Sequence, residues 1–332
     1  MLVDPWSVSA ESIDALAAQF FAASLFPYLA FLYLLNRKQV NCPPLANFGF
    51  RFLLVFVFAT IPAGIYAKTH YHDILANVDW LHGSAESLLT ITNLLIVLGF
   101  RQASGTEKEA TTTPQRSEGA KVGAQMVPTL LLLLGAPLLG GLLATVHEEP
   151  ANALSFPTWI IHVSSLVEWL VAMGLVWEYS ERSRNERWKG LTWGMVPLHT
   201  SGICACTYHL FYNAPSLSVL VLLQAALTFV GNCSMAFATC RIGGQGDESG
   251  DDADDDKVEA ESSLMGFEDM GTSKNSNLML LGKVFALSAM GSAGVKWGSL
   301  LFDAPFSGSL PLALTLITVP TALNVVKWAS RR

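Results

Sequence analysis

Charge is scarce in this chain: Asp, Glu, Lys and Arg make up 14% of its 332 residues, against 51% apolar residues and a mean hydropathy of +0.40. A chain so poor in charge cannot cover itself with an ordinary polar surface, which excludes a water-soluble globule and gives no basic face for nucleic acid. Its spacings are also poor in metal and redox motifs, with no HxxxH, no HExxH and no CxxC. Cys204 and Cys206 stand at i and i+2, which point in different directions on a helix. The five cysteines therefore form no disulfide framework and read as small packing residues. No complete catalytic constellation is visible, so an enzyme ranks behind a binding or structural protein. The opening MLVDPWSVSAESIDALAAQ is acidic and free of Arg, the opposite of a transit peptide, and too polar for a signal peptide. An import signal has either been removed or is not needed.

What is present in quantity is apolar sequence in membrane-length runs. Nine spans are expected, at 17–36, 48–67, 81–100, 126–146, 158–178, 191–211, 215–240, 279–302 and 309–328, each near the roughly 20 residues that cross a bilayer. The loops sort the basic residues accordingly. One face receives Arg37, Lys38, Arg101, Lys108, Arg116, Lys121, Arg182, Arg184, Arg187, Lys189, Arg241, Arg331 and Arg332, while the other receives Lys68 and Lys296. By the positive-inside rule the N-terminus lies outside and the C-terminus inside. The net charge of −7 is local: residues 247–261 hold nine acids and only Lys257, and the remainder has 18 acids against 19 bases. That acidic run reads as a disordered loop, and residues 102–122 as a low-complexity linker.

The chain carries a faint internal echo. Gly64-Ile65-x-Ala67-x-Thr69 recurs 138 positions later as Gly202-Ile203-x-Ala205-x-Thr207, and the same offset lays Ala76 on Ala214, Glu86 on Gln224 and Leu89-Thr90 on Leu227-Thr228. Seven of the 27 positions from Gly64 to Thr90 are identical, where such a composition gives roughly two or three by chance. Ser24-Leu25-x-x-Tyr28-Leu29 likewise parallels Ser165-Leu166-x-x-Trp169-Leu170. The expected architecture is an all-α membrane protein of two parallel three-helix repeats joined by one helix (3+1+3), with a two-helix tail. Its parts are a first repeat (1–101), a polar linker (102–125), a linker helix (126–147), a second repeat (154–241), the acidic loop (242–277) and the tail (278–332).

Polar residues inside such spans are costly in lipid and nominate a site. The third span carries His82, Glu86, Thr90 and Asn93 on one face, and the seventh carries Gln224, Thr228 and Asn232 on another. Since the echo pairs Glu86 and Thr90 with Gln224 and Thr228, the two stripes are expected to face each other across a pseudo-twofold axis. Interhelical glue is the plainer reading, but Glu86 brings a titratable proton that packing does not need, and His82, one turn away, is its obvious partner. His162, Glu168, His199 and His209 are secondary candidates; the three histidines read as hydrogen-bonded core residues more readily than as metal or haem ligands, and no cofactor or metal is evident from motifs. Lys296 is expected to snorkel or to pair with Asp303, and Asn324 has no evident partner. Pro27, Pro62, Pro128 and Pro197 permit kinks, hinged or static.

Two family resemblances follow from longer motifs. Residues 154–241, with SFPTWIIHVSSLVEWLVAMGLVWEYSE and WGMVPLHTSGICACTYHLFYNAPSL, resemble the membrane family of hypothetical chloroplast reading frame forty-nine. Residues 20–101, with FFAASLFPYLAFLYLL and HYHDILANVDWLHGSAESLLTITNLLIVLGFR, look like a second family of the same cyanobacterial and plastid distribution. The resemblance implies a plastid membrane, with the thylakoid expected, and no particular reaction; with the loop charges, the N-terminus is then expected on the lumenal side. The 3+1+3 pattern is also similar to the sugar-transporter and PQ-loop fold, although Pro27-Tyr28 replaces the PQ dipeptide and the fifth span lacks an internal proline. Function is then expected to be a small-solute carrier or binding protein with its site between the third and seventh spans. The alternative is an auxiliary or assembly protein of the photosynthetic membrane holding a pigment, quinone or protein partner.

Overall fold

The structure, a computed structural model, describes residues 10–104, 147–244 and 270–331. Among these the long helices are α1 (Ala10–Leu35), α2 (Pro44–Tyr66), α3 (Asp79–Ala103), α4 (Phe156–Arg182), α5 (Lys189–Leu210), α6 (Val219–Gly243), α7 (Met270–Gly298) and α8 (Leu310–Ala329). They occupy eight of the nine expected spans; the linker helix at 126–146, with Pro128, and the acidic run lie outside the described residues. Helix is dictated by the medium, because in hydrocarbon each backbone N–H and C=O must be satisfied within its own segment. Seven of the eight are long and apolar enough to cross a bilayer. The exception, α5, is 22 residues long but carries Thr192, His199, Thr200, Ser201, Thr207 and His209, all buried. The apolar residues turned outward include Phe26, Tyr33, Phe58, Ile65, Phe237 and Leu323, as expected where the solvent is lipid.

Each of the first six helices packs against the next, and α6 returns to α1, so that the cyclic order is α1-α2-α3-α4-α5-α6. α3 and α4 run parallel, since Asp79 meets Ser155 near their beginnings and Asn93 meets Ser165 further along. α1 and α6 are parallel too, through Phe20 with Phe229 and Ser24 with Asn232. The chain therefore leaves α3 at one end of the bundle and enters α4 at the other, as a 3+1+3 order requires. Close crossings are made at glycine: a Cβ on Gly99 would run into the Ala46 backbone of α2, and one on Gly194 would lie 3.1 Å from the Met235 nitrogen of α6.

The packing order is unchanged when α1, α2 and α3 are exchanged with α4, α5 and α6, and the hydrogen bonds repeat with it. Asn93 Nδ2 on α3 donates to the Ser165 carbonyl on α4 at 3.3 Å, and Asn232 Nδ2 on α6 donates to the Ser24 carbonyl on α1 at 3.0 Å. Ser24 and Ser165 are partners in the sequence echo. So are Tyr28 and Trp169. Tyr28 donates through its hydroxyl to the Phe50 carbonyl of α2, and Trp169 through its indole Nε1 to the Met195 carbonyl of α5.

The tail packs on the second triplet, with α7 against α4 and α8 against α5. Two expectations about it are corrected. Lys296 does not pair with Asp303 but reaches Glu149 Oε2 at 2.6 Å and the Leu154 carbonyl at 2.8 Å, while Asp303 pairs with His147 at 3.1 Å. Asn324 has partners: it accepts from Trp328 Nε1 at 2.7 Å and lies 3.4 Å from His199 Nδ1. Before α2, burial pushes the Cys42 thiol up to about 12, in keeping with a packing role. All five cysteines are free.

Removing an interhelical hydrogen bond in a membrane costs about 0.6–2 kcal/mol, so Asn232→Ala is expected to lower stability by that amount in detergent unfolding, with Tyr28→Phe behaving alike. Gly99→Leu, which forces α2 and α3 apart, is expected to cost about 3 kcal/mol. An unfolding midpoint for Gly99→Leu no lower than that of Asn232→Ala would contradict this account of the crossing.

Candidate functional site

The polar side chains gather in one half of the interface among α3, α4 and α5. On α3 they occupy the turns from His82 to Asn93, on α4 those from Thr158 to Glu168, and on α5 those from His199 to His209. The remaining turns contribute apolar residues such as Ile96, Phe100, Met173, Val176, Leu191 and Met195 to the largest core cluster. α4 begins cleanly there, because Ser155 caps its N-terminus and accepts from the Thr158 N–H.

Among the described residues, no hydrogen bond joins the two expected stripes to each other. Thr90 lies 3.2 Å from Ser165 Oγ on α4, and Asn93 bonds α4 as well. Thr228 bonds Ser201 on α5 at 2.8 Å, Gln224 offers its carbonyl to the same Ser201, and Asn232 bonds α1. Each stripe is satisfied by its neighbour in the ring, because a short side chain reaches only the helix it packs on. Glu86 does not meet His82 as a hydrogen-bonded pair; across the interface it comes near Cys206 on α5.

His82 instead joins His162 and His209. The three residues are 8%, 5% and 5% exposed. Their ring centroids form a triangle with every edge 4.9 Å, and one ligand-capable nitrogen from each lies within 4.8 Å of the others. His82 Nε2 and His162 Nε2 stand 3.1 Å apart, and His162 Nδ1 lies 2.9 Å from the Thr158 carbonyl. That carbonyl can only accept, so His162 carries its proton on Nδ1 and turns a lone pair toward His82. His209 Nδ1 is buried with no hydrogen bond of ordinary geometry. Gly83 makes room for the approach, since a Cβ there would lie 2.7 Å from Thr158 Oγ1.

Deeper along the same interface, Glu168 is 2% exposed and its Oε2 has no hydrogen-bond partner. The Asn93 side chain adjoins the Glu168 carboxyl as a polar partner, and Asn93 Oδ1 likewise makes no hydrogen bond of ordinary geometry. His199 belongs with α8 through Asn324, apart from the other three histidines. The residue that sequence reasoning missed is Asn213. Its side chain donates to the Ala76 carbonyl at 3.2 Å and to Asn77 Oδ1 at 2.6 Å, which ties the end of α5 to the segment before α3 and so brings His209 to His82. Tyr212 and Asn213 both have positive φ, 52° and 56°, a pair of strained residues held by these contacts. No periodicity signals such a residue, because it lies in a turn.

Two family models match the chain, both described as proteins of unknown function: DUF3593 over residues 17–105 and DUF2499 over residues 153–241. Among curated relatives, the Ycf49-like protein of Synechocystis is 51% identical over 87 residues, which is 26% of this chain and 84% of that relative. The uncharacterized protein ycf49 of Cyanophora paradoxa is 33% identical over 87 residues, 26% of this chain and 85% of that relative. No solved structure matches. With its membrane-length helices and with most of both relatives covered, the chain belongs to the Ycf49-like family of membrane proteins.

Proposed function

We propose that the chain is a membrane-embedded binding protein or carrier for a small polar solute or ion, housed in the thylakoid with its N-terminus on the lumenal side, and that its site is the polar column among α3, α4 and α5. The observation that carries this reading is Glu168. Glu168 and Asn93 are adjoining buried side chains whose Oε2 and Oδ1 each lack a hydrogen bond of ordinary geometry, which leaves acceptor capacity for a further donor. In hydrocarbon such a pair is retained where a proton, a cation or a solute N–H or O–H comes to lie between them. Glu86, two turns nearer the histidines on α3, continues the column toward Cys206. This moves the expected site from between α3 and α6 to the interfaces that α3 and α5 make around α4.

The alternative, an auxiliary or assembly protein holding a pigment, quinone or protein partner, is favoured by the way Thr90, Thr228 and Asn232 are fully employed in joining helices. The two readings part on one experiment. The full chain in mild detergent is scanned for thermal stabilisation against a panel of polar metabolites and inorganic ions, and its co-purified small molecules are identified by mass spectrometry. A true ligand at about 100 times its dissociation constant stabilises by about 2.7 kcal/mol, and Glu168→Gln is expected to remove that gain while leaving the unliganded melting temperature within a few degrees. A stoichiometric pigment or quinone, with no stabilising polar ligand, would establish the assembly reading instead.

A further inference from the structure

We propose that His82, His162 and His209 form a three-histidine site for a borderline divalent transition-metal ion of the zinc, copper or iron class. The site stands on its own geometry and does not rest on the carrier reading. Three imidazole nitrogens bound to one ion at about 2.0–2.1 Å stand about 3.3–3.5 Å apart; the His82 and His162 nitrogens are already 3.1 Å apart, and all three fall within 4.8 Å. An ion therefore needs only a small movement of His209, whose Nδ1 is buried near Asn213 and makes no hydrogen bond of ordinary geometry.

The surroundings suit a metal better than a self-contained hydrogen-bonded cluster. The Thr158 carbonyl fixes the His162 tautomer with its Nε2 lone pair inward, which is the orienting contact that metal-bound histidines receive from their second partner. In the metal-free protein His82 donates its Nε2 proton to that lone pair. On loading, the proton moves to His82 Nδ1, both nitrogens bind as neutral imidazole, and no net proton is released. The ion's charge is met in the low dielectric by carboxylates one turn to either side of His82: Asp79, which accepts from the Ser155 N–H at 2.8 Å, and Glu86. A haem is disfavoured, because rings whose centroids are 4.9 Å apart on every edge leave no slot for a planar macrocycle. Three protein ligands leave a fourth position for water or an exogenous donor.

The full chain, purified in detergent and stripped with a chelator, is titrated with Zn²⁺ and separately with Co²⁺. The expected result is one ion per chain, a visible Co²⁺ band of four-coordinate intensity, and a higher unfolding temperature. His162→Gln and His209→Gln are each expected to weaken binding at least about tenfold, while His199→Gln, buried outside the cluster, leaves it unchanged. Glu168→Gln is expected to bind the metal normally, which separates this site from the solute reading. Folded wild-type protein that holds no stoichiometric ion would overturn the proposal, as would monodisperse histidine variants that bind as wild type does. Should the glutamine variants not fold, Cu²⁺-loaded wild type decides: spin-echo couplings from imidazole nitrogens support the site, and their absence sinks it.

Discussion

The structure depends on a pair of amide-to-carbonyl hydrogen bonds that tie the first helix of each triplet to the third helix of the other: Asn93 to Ser165 and Asn232 to Ser24. In lipid the hydrophobic effect does not choose helix partners, because acyl chains are as apolar as leucine. Contacts between side chains and backbone carbonyls are left to set which helix meets which. Each asparagine reaches a carbonyl whose own intrahelical bond is already made, so it adds a crossing contact without unravelling its target. Because the first helices are exchanged in this way, neither triplet closes on itself, and the six helices form a ring that requires both halves.

The exchange also decides where polarity can accumulate. α3 is held parallel to α4, so their beginnings coincide, and the turn at Tyr212-Asn213 fastens the end of α5 to the same place. Residues distant in sequence then meet at the same depth: His82, His162 and His209 at the end, Glu86 with Cys206 one turn inward, and Asn93 with Glu168 beyond them. The opposite half of the interface is filled by aromatic and aliphatic side chains, including Phe100 stacked edge-on to Tyr179 and Trp188. A polar column backed by a tightly packed apolar half is held rigidly at its apolar end, and its polar groups need not double as packing.

Much of this was legible from residue order. Apolar runs bounded by charges mark helices to within a few residues in most cases, since bilayer thickness sets their length. The residues paired in the echo, Ser24 with Ser165 and Tyr28 with Trp169, carry hydrogen bonds of matching kind, since they hold the donors or the carbonyls themselves. What could not be read was the set of contacts between helices. The polar stripes of α3 and α6 were expected to join because they align in the echo, yet alignment in a repeat says that two residues occupy equivalent places, not that they touch. Metal-site reasoning by spacing looks for ligands on one helix, and here each histidine comes from a different one. Lys296 and Asn324 found partners in Glu149 and in His199 and Trp328, from segments that no local pattern connects to them.

The symmetry of the frame sharpens the question of function by showing what is not symmetric. By the same alignments, His82 corresponds to Leu220, His209 to Tyr71 and His162 to Phe21, and Glu168 corresponds to Pro27. At these positions the interface of α1 with α6 thus has the hydrogen-bonded asparagine of its counterpart and neither a histidine nor a glutamate. A role confined to holding helices together would be met equally by both interfaces, as Asn93 and Asn232 show. The chemistry that distinguishes them is concentrated on one side, where His82 comes from the segment matching the first family and His162 and His209 from the segment matching the second. Either segment alone supplies at most two of the three histidines. The three-histidine arrangement is therefore a property of the joined chain, and the single polypeptide guarantees that both contributors are present in equal number and in register.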